Sequence, residues 1–250
     1  MTHAGARVVI TAGGAGIGAC LVRLFAAQGA QMAYCDIDLG DVPDGMVGVA
    51  ADVTDKPQMA TFFARVEETL GGVHVLFANA GIGGPAAGIA DISLGDWRAT
   101  LSANLDGAFL ATRWAAPLMA AQGAGSIMLT SSTSGLWGVP TRAPYVVAKW
   151  GVIGLMKTIA MELDSAGVRV NAVAPGAVEG PRMERVLAKE AAAEGCTVDE
   201  MRAFYAEGTS LRTWVTAEDI ADMVLFVTSD AGKRISGQTL AVDGHTERMI

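Results

Sequence analysis

Tyr145 and Lys149 stand four positions apart in a stretch of helical spacing, so their side chains share one helix face. A phenol titrates near 10 in water and is a weak acid or base at neutral pH. An ammonium one turn away stabilises the phenolate by Coulomb attraction, and the pair then suits proton transfer. The same spacing recurs by chance in many chains, so the residues that accompany it decide its meaning.

A second group stands near the N-terminus, in Thr11-Ala12-Gly13-Gly14-Ala15-Gly16-Ile17-Gly18. A glycine-rich turn lets a phosphate approach the backbone, and the helix that follows offers free N–H groups and a positive dipole end. A tight structural turn has the same composition, so the motif leaves both readings open. Asp36 lies 18 residues after Gly18, at the end of the second apolar run. A carboxylate there accepts hydrogen bonds from adenosine ribose hydroxyls and repels a 2′-phosphate, which favours NAD over NADP. The plainer reading is that Asp36 caps a loop. No Arg or Lys adjoins it, and Asp38 and Asp41 add negative charge.

These groups need a scaffold that brings them together. Val8-Val9-Ile10, Gln31 to Cys35, Val47 to Ala51, Val73 to Ala78, Ser126 to Thr130, Val168 to Ala174 and Thr239 to Val242 read as strands. Helical spacing runs over Ile17–Gln28, Pro57–Leu70, Trp97–Ala121, Tyr145–Leu163 and Thr216–Thr228. Strands that are apolar throughout and alternate with helices predict an α/β fold. The expected form is a single-domain, doubly wound, parallel seven-stranded sheet of Rossmann type flanked by helices. No linker or repeat divides the chain, so residues 1–250 are expected to form one dinucleotide-binding and catalytic domain. The charged, alanine-rich segment 176–211 follows a strand end and is expected to be a substrate lid; an ordinary surface helix pair is the alternative.

Composition narrows the function classes. The chain has 250 residues, is 51% hydrophobic and carries a formal charge of −8. An acidic surface without a basic stripe disfavours nucleic acid as a partner. The longest uncharged run, Gly71 to Ala90, holds His74, Asn79 and Pro85 and is not a membrane span. Met1 to Arg7 lacks the long apolar segment of an export signal. Cys20, Cys35 and Cys196 are odd in number and widely spaced. Cys20 and Cys35 read as core thiols in a reducing, cytoplasmic setting, and no metal site is expected.

Ser132 lies 13 residues before Tyr145, just after the strand ending at Thr130. Together with Thr11-x-x-x-x-Gly16-x-Gly18, Asn79-Ala80-Gly81 and Asn104, this resembles the classical short-chain dehydrogenase/reductase family, from Val8 to about Gly244. The resemblance implies that Tyr145 is the general acid/base and that Ser132 hydrogen-bonds the same substrate oxygen. It implies that Lys149 binds the nicotinamide ribose and lowers the Tyr145 pKa, and that Asn104 holds a water in a proton relay. Thr11, Gly13, Gly16, Ile17 and Gly18 would form the pyrophosphate loop. Asp52 and Val53 would contact adenine, and Asn79, Ala80 and Gly81 would flank the cofactor. Pro175, Gly176 and Val178 would border the nicotinamide. A homotetramer is implied as well, with Ile235 to Val242 as an apolar C-terminal segment.

This sequence departs from the family pattern in several places. Ala12 replaces the first loop glycine, which is tolerable only if its φ is negative. Ala78 replaces the first of two asparagines, and Gly180 replaces a threonine expected to bond the cofactor. Leu39 to Met46 is short for the usual helix between strands two and three, so that helix is expected to be abbreviated or absent. His74 stands where the family often has an acid and reads as structural, and His245 is a candidate interface residue.

Trp137, Arg142 and Arg182 are candidate substrate contacts. Guanidinium groups bind carboxylates well, which suits an acidic or polyhydroxy substrate. The alternative is that both arginines are solvated or paired with Glu179 or Glu184. The expected function is an NAD-dependent oxidoreductase interconverting a secondary alcohol and its ketone, with a small-molecule substrate of the sugar, polyol or hydroxy acid class. Two other readings are a 3-oxoacyl thioester reductase and a non-catalytic NAD-binding regulatory protein. Asp36 and the acidic balance disfavour the first; an intact Ser132, Tyr145 and Lys149 disfavours the second.

Overall fold

The central strands are mostly apolar because both of their faces are covered. In β1 (Arg7–Thr11), Val9 points into one hydrophobic core while Val8 and Ile10 point into another. The alternation repeats in β4 (Val75–Ala78), where Leu76 and Ala78 join the first core and Val75 and Phe77 the second. Successive side chains of a strand leave on opposite faces, so a sheet buried on both sides needs apolar residues at every position. A computed structural model describes residues 3–40 and 42–246.

The remaining strands are β2 (Gln31–Asp36), β3 (Val47–Ala50), β5 (Gly125–Thr130), β6 (Val168–Pro175) and β7 (Thr239–Val242). All pair in parallel, in the order β3-β2-β1-β4-β5-β6-β7. The chain starts at a central strand, winds out to β3, then returns to β4 and winds out to β7. The winding reverses between β1 and β4. Open α/β sheets bind ligands at the C-terminal strand ends beside such a reversal. There Thr11 is in register with Ala78, which sets the glycine loop beside Asn79.

The helices are α1 (Gly16–Ala27), α2 (Lys56–Leu70), α3 (Leu94–Leu101), α4 (Gly107–Gln122), α5 (Ala143–Glu162), α6 (Pro181–Glu194), α7 (Val198–Glu207) and α8 (Ala217–Thr228). Helices α2, α4 and α5 cover one face, through residues such as Phe62, Ala111 and Met156. Helices α1 and α8 cover the other through Leu21, Phe25, Ile220 and Val224. Thr216 caps α8 in a reciprocal pair with Asp219, as its spacing predicts. No helix forms between β2 and β3 among the described residues. Cys20 and Cys35 are buried; burial pushes their thiols up to about 11 and about 12, aided at Cys20 by a bond to Glu218 and opposed at Cys35 by a backbone hydrogen bond. Such thiols stay protonated and inert at neutral pH. His74 is tied to Arg7 and fills a structural place. His245 bonds Ser210 within the chain.

Two expectations are corrected. The helix expected over Trp97–Ala121 begins at Leu94, where the Ser93 hydroxyl accepts the Asp96 N–H. A π-helical turn, Ser102–Asp106, then separates α3 from α4. Such turns are uncommon and concentrate at functional sites. Ala12, expected to hold a negative φ, has φ +54°. A left-handed alanine costs on the order of 1 kcal/mol. The loop holds it there: Asn79 Nδ2 donates to the Ala12 carbonyl at 3.1 Å, and a methyl on Gly18 would sit 1.9 Å from the same oxygen.

The segment 176–211 forms a helical hairpin with a small core of its own, Leu187, Ala191 and Met201, flanked by Tyr205 and Trp214. It is tethered at both ends, by a parallel bridge from Val178 to Val215 and an antiparallel one from Thr209 to Thr246.

Candidate active site

Helix α5 carries Tyr145 in its first turn, just after Pro144, whose fixed φ suits a helix start. Lys149 follows one turn later and is 2% exposed. Its Nζ lies 5.5 Å from the Tyr145 ring centre and donates to the Thr130 carbonyl at 2.9 Å. Ser131 Oγ donates to the Lys149 carbonyl at 2.9 Å, which pins α5 against the end of β5. Thr130 and Ser131 carry no sequence signal for this work, because one acts through its backbone and the other as an anchor. The Ser132 hydroxyl and the Arg182 guanidinium are near enough to the Tyr145 phenol for polar contact with it to lower its pKa.

Burial alone would push that phenol up. The Lys149 ammonium, the Arg182 charge and the two polar contacts outweigh it and hold the phenol below its usual value. Burial also holds the Lys149 ammonium below the ordinary lysine value; the nearby phenol opposes this and Arg182 reinforces it. A phenol with a lowered pKa beside a buried cation can exchange a proton at an oxygen held by Ser132.

Asn104 sits in the π-helical turn and is 1% exposed. Its Nδ2 donates to the carbonyls of Ile82 and Thr100, both at 2.9 Å. Its Oδ1 is buried without a protein partner. A methyl on Gly81 would meet that oxygen at 2.4 Å and Lys149 Nζ at 3.3 Å. Gly81, Asn104 and Lys149 therefore share one corner of the site.

The glycine loop lies at the other end. The N-cap of α1 is Ala15, no side chain satisfies the helix N–H groups, and no acid stands in the first turn. Side chains cap α2, α3, α7 and α8, whereas α4, α5 and α6 share the uncapped start of α1. Gly16 has φ +53°, and a methyl there would meet nothing within 4 Å. Free N–H groups around an open loop are the donor set a pyrophosphate needs. Asp36 accepts the N–H of Gly14 at 2.9 Å and of Ile37 at 2.7 Å, so its carboxylate adjoins this loop. Ionised carboxylates accept more bonds than two, and capacity remains for ribose hydroxyls. The donors and the acceptor suit a dinucleotide.

The other expected cofactor residues divide into two kinds. Ile17 packs on the second core, Gly13 lies on the Tyr34 ring, and Val53 lies against Gly107. Thr11 is buried, and its hydroxyl accepts the N–H groups of Asn79 and Ala80 at 3.0 and 3.3 Å. It positions the loop after β4 rather than lining an open surface. Asp52 accepts the Thr54 N–H in a local turn. Pro175 and Gly176 end β6, and the Gly176 N–H bonds Val242. Gly180 has φ +138°, where a threonine would be strained, so the missing hydroxyl goes with a backbone that excludes it.

Arg142 lies over the Tyr145 ring, its guanidinium carbon 5.4 Å from the ring centre. Trp137 is 48% exposed. Of the alternatives to a substrate role for Arg182, pairing with Glu184 is not what forms: Glu184 bonds Arg202. Arg202 stands 18 positions along the chain, on the second helix of the hairpin, and the folding of that hairpin brings it to Glu184.

Comparison with known proteins gives the lineage. A family model described as enoyl-(acyl carrier protein) reductase matches residues 11–245. The chain is 36% identical to momilactone A synthase of Oryza sativa subsp. japonica over 249 residues, covering 94% of this chain and 88% of the relative. It is 35% identical to the 3-oxoacyl-[acyl-carrier-protein] reductase MabA of Mycobacterium avium over 237 residues, covering 95% and 88%. The crystal structure of sorbitol-6-phosphate 2-dehydrogenase from Erwinia amylovora superposes with a TM-score of 0.90 at 28% identity, covering 96% of this chain and 99% of that one.

Proposed function

The chain belongs to the short-chain dehydrogenase/reductase family, an oxidoreductase lineage, and on that premise we propose that it is an NAD-dependent dehydrogenase. It interconverts a secondary alcohol of the sugar, polyol or hydroxy acid class and its ketone. The observation that carries this reading is the Tyr145 phenol held between Lys149, Ser132 and Arg182 at the C-terminal edge of the sheet.

NAD, when bound, supplies the acceptor of the hydride. The free N–H groups of α1 would hold its pyrophosphate and Asp36 its adenosine ribose. Asp52 and Val53 would border adenine, and Asn79, Ala80 and Gly81 the middle of the cofactor. Pro175, Gly176 and Val178 would border the nicotinamide, and Lys149 would bind its ribose. In oxidation the Tyr145 phenolate takes the proton of the substrate hydroxyl while Ser132 orients that oxygen. Asn104 Oδ1 supports a water that passes the proton on. Segment 176–211 is the substrate lid of the one domain.

The test is titration of NAD against NADP by fluorescence, followed by an NADH-formation screen over secondary alcohols, hydroxy acids and sugars. Tight NADP binding in preference to NAD would refute the role given to Asp36. Asp36→Ala is expected to weaken NAD binding by roughly tenfold and to relax discrimination against NADP, since charge-assisted hydrogen bonds are lost.

A second reading, reduction of a 3-oxoacyl thioester, is supported by the matching family model and by the MabA relative. The carboxylate beside the glycine loop and the charge of −8 weigh against it, as they disfavour NADP and an acidic carrier. Among the described residues no helix is long and apolar enough to cross a membrane. Two buried, protonated thiols suit a reducing, cytoplasmic compartment. Exposed Phe109, Val147 and Trp150 on α4 and α5 support a homotetramer, which we propose as the working assembly. Sedimentation at micromolar concentration would read a mass four times that of the chain, and a monomer would refute it.

A further inference from the structure

Two cations converge beside Tyr145, and among the described residues no carboxylate forms an ion pair with either. A methyl on Gly83 would lie 3.2 Å from Nη2 of Arg142 and 3.7 Å from Nη2 of Arg182, so both guanidiniums gather over one point of the loop after β4. Arg142 is the N-cap of α5, and Arg182 lies in the first turn of α6. A cation at a helix N-terminus meets the positive end of the dipole, so both placements are electrostatically unfavourable. Lys149 adds a third positive charge at the same phenol. Two acids of the hairpin are engaged elsewhere: Glu184 bonds Arg202, and Glu190 accepts the Tyr205 hydroxyl at 2.8 Å. The ion pairs among the described residues are Arg23–Glu218, Arg65–Glu68 and Arg202–Glu184, and neither Arg142 nor Arg182 belongs to one. A chain with an excess of acids thus leaves both site arginines outside the ion pairs of the described residues.

We propose that Arg142 and Arg182 form an anion subsite that holds the carboxylate of a hydroxy acid substrate, with the reacting hydroxyl at Tyr145. This rests on the dehydrogenase reading above. Planar guanidiniums bind carboxylates in two-pronged fashion, and the carboxylate itself is unchanged by the reaction. Arg182 acts electrostatically on the Tyr145 phenol, and Arg142 covers the Tyr145 ring. With both guanidiniums beside Tyr145, the proposal places the carboxylate near the reacting carbinol, as in short 2- or 3-hydroxy acids, rather than at the far end of a long substrate. The two arginines come from opposite sides of the site, one on the α5 rim and one on the hairpin. An anion between them joins the hairpin to the body.

The experiment compares short 2- and 3-hydroxy acids, in both enantiomers, with their methyl esters and with hydroxyalkyl phosphates, using wild type, Arg142→Gln and Arg182→Gln. The readout is the ratio of kcat/KM for acid over ester. The expected result is a wild-type preference for an acid that falls about 10- to 100-fold in each variant. Added salt should weaken the wild-type preference. A second measurement needs no turnover: binding of unreactive short carboxylates to the protein, with and without NADH, by calorimetry. Binding in wild type that is lost in both variants supports the subsite even if the screened acids are not turned over. Esters used as well as acids, or an equal acid/ester ratio in wild type and variants, overturns the subsite and leaves the dehydrogenase intact. Absence of carboxylate binding in wild type also overturns it. A preference for the phosphates overturns the carboxylate assignment. Weaker NAD binding in the arginine variants with an unchanged acid/ester ratio would assign the arginines to the cofactor and overturn the proposal. Failure of NAD to bind wild type at all would sink the dehydrogenase reading by itself.

Discussion

Tyr145→Phe is expected to lower kcat by about a thousandfold while NAD binds within about threefold of the wild-type affinity. General acid–base catalysis contributes roughly 100- to 10,000-fold, and the substitution removes the only atom that would carry the proton. The ring stays, so its contacts with Arg142 and Lys149 stay. Ser132 and Arg182 lose a polar contact at the phenol, but neither belongs to the glycine loop or to Asp36. Fluorescence titration and single-turnover kinetics separate the two effects. Appreciable turnover in the phenylalanine variant would remove Tyr145 from the proposed chemistry, whereas loss of NAD binding would show that the substitution disturbs the fold.

Lys149→Met is expected to lower kcat by roughly a hundredfold or more and to move the pH profile of oxidation upward. The direction follows from the charges. Oxidation needs the phenolate, so its rate falls as pH drops through the Tyr145 pKa. Burial raises that pKa, and the Lys149 cation is the largest influence that lowers it. Without the cation the pKa climbs, and the acid limb of the profile moves to higher pH. The limb for ketone reduction, which needs the protonated phenol, moves the same way. Methionine keeps most of the volume but leaves the Thr130 carbonyl without the Lys149 donor, so a thermal melt should accompany the kinetics. An acid limb at the wild-type pH would show that Lys149 does not tune Tyr145. A residual rate that recovers at high pH is the positive signature, because a merely structural lysine would not restore activity on titration.

Much of this molecule is written locally. Most strands announce themselves by an apolar run, because a parallel sheet covered on both faces favours apolar residues on each; β6 keeps Arg169 and Asn171 within it by bonding them to the carbonyls of Gly232 and Ile235. The four-residue spacing of Tyr145 and Lys149 places them on one face whatever surrounds them. Asp36 at the end of an apolar run, 18 residues after Gly18, falls at the end of β2 and beside the glycine loop. The Thr216–Asp219 cap is likewise a property of four neighbouring residues. The stretch between β2 and β3 is short for the helix usual there, and among the described residues it forms none.

What stayed hidden depends on segments far apart in the chain. Ala12 takes a positive φ with its carbonyl bonded by Asn79, from a distant loop, and with room beside it only because residue 18 is glycine, whereas a local rule about alanine predicts the opposite sign. The π-helical turn at Asn104 lies inside a stretch of continuous helical spacing. The hydrogen bonds of Asn104 there run partly to Ile82, on another loop. Glu184 reads as a neighbour for Arg182 along the chain, yet the hairpin delivers Arg202 to it. That exchange leaves Arg182 free to meet Tyr145, while Arg142 arrives from α5 over the same glycine. Periodicity encodes which face a side chain takes. Which charges end up paired is a matter of distance between elements, and only the packed sheet and hairpin decide it.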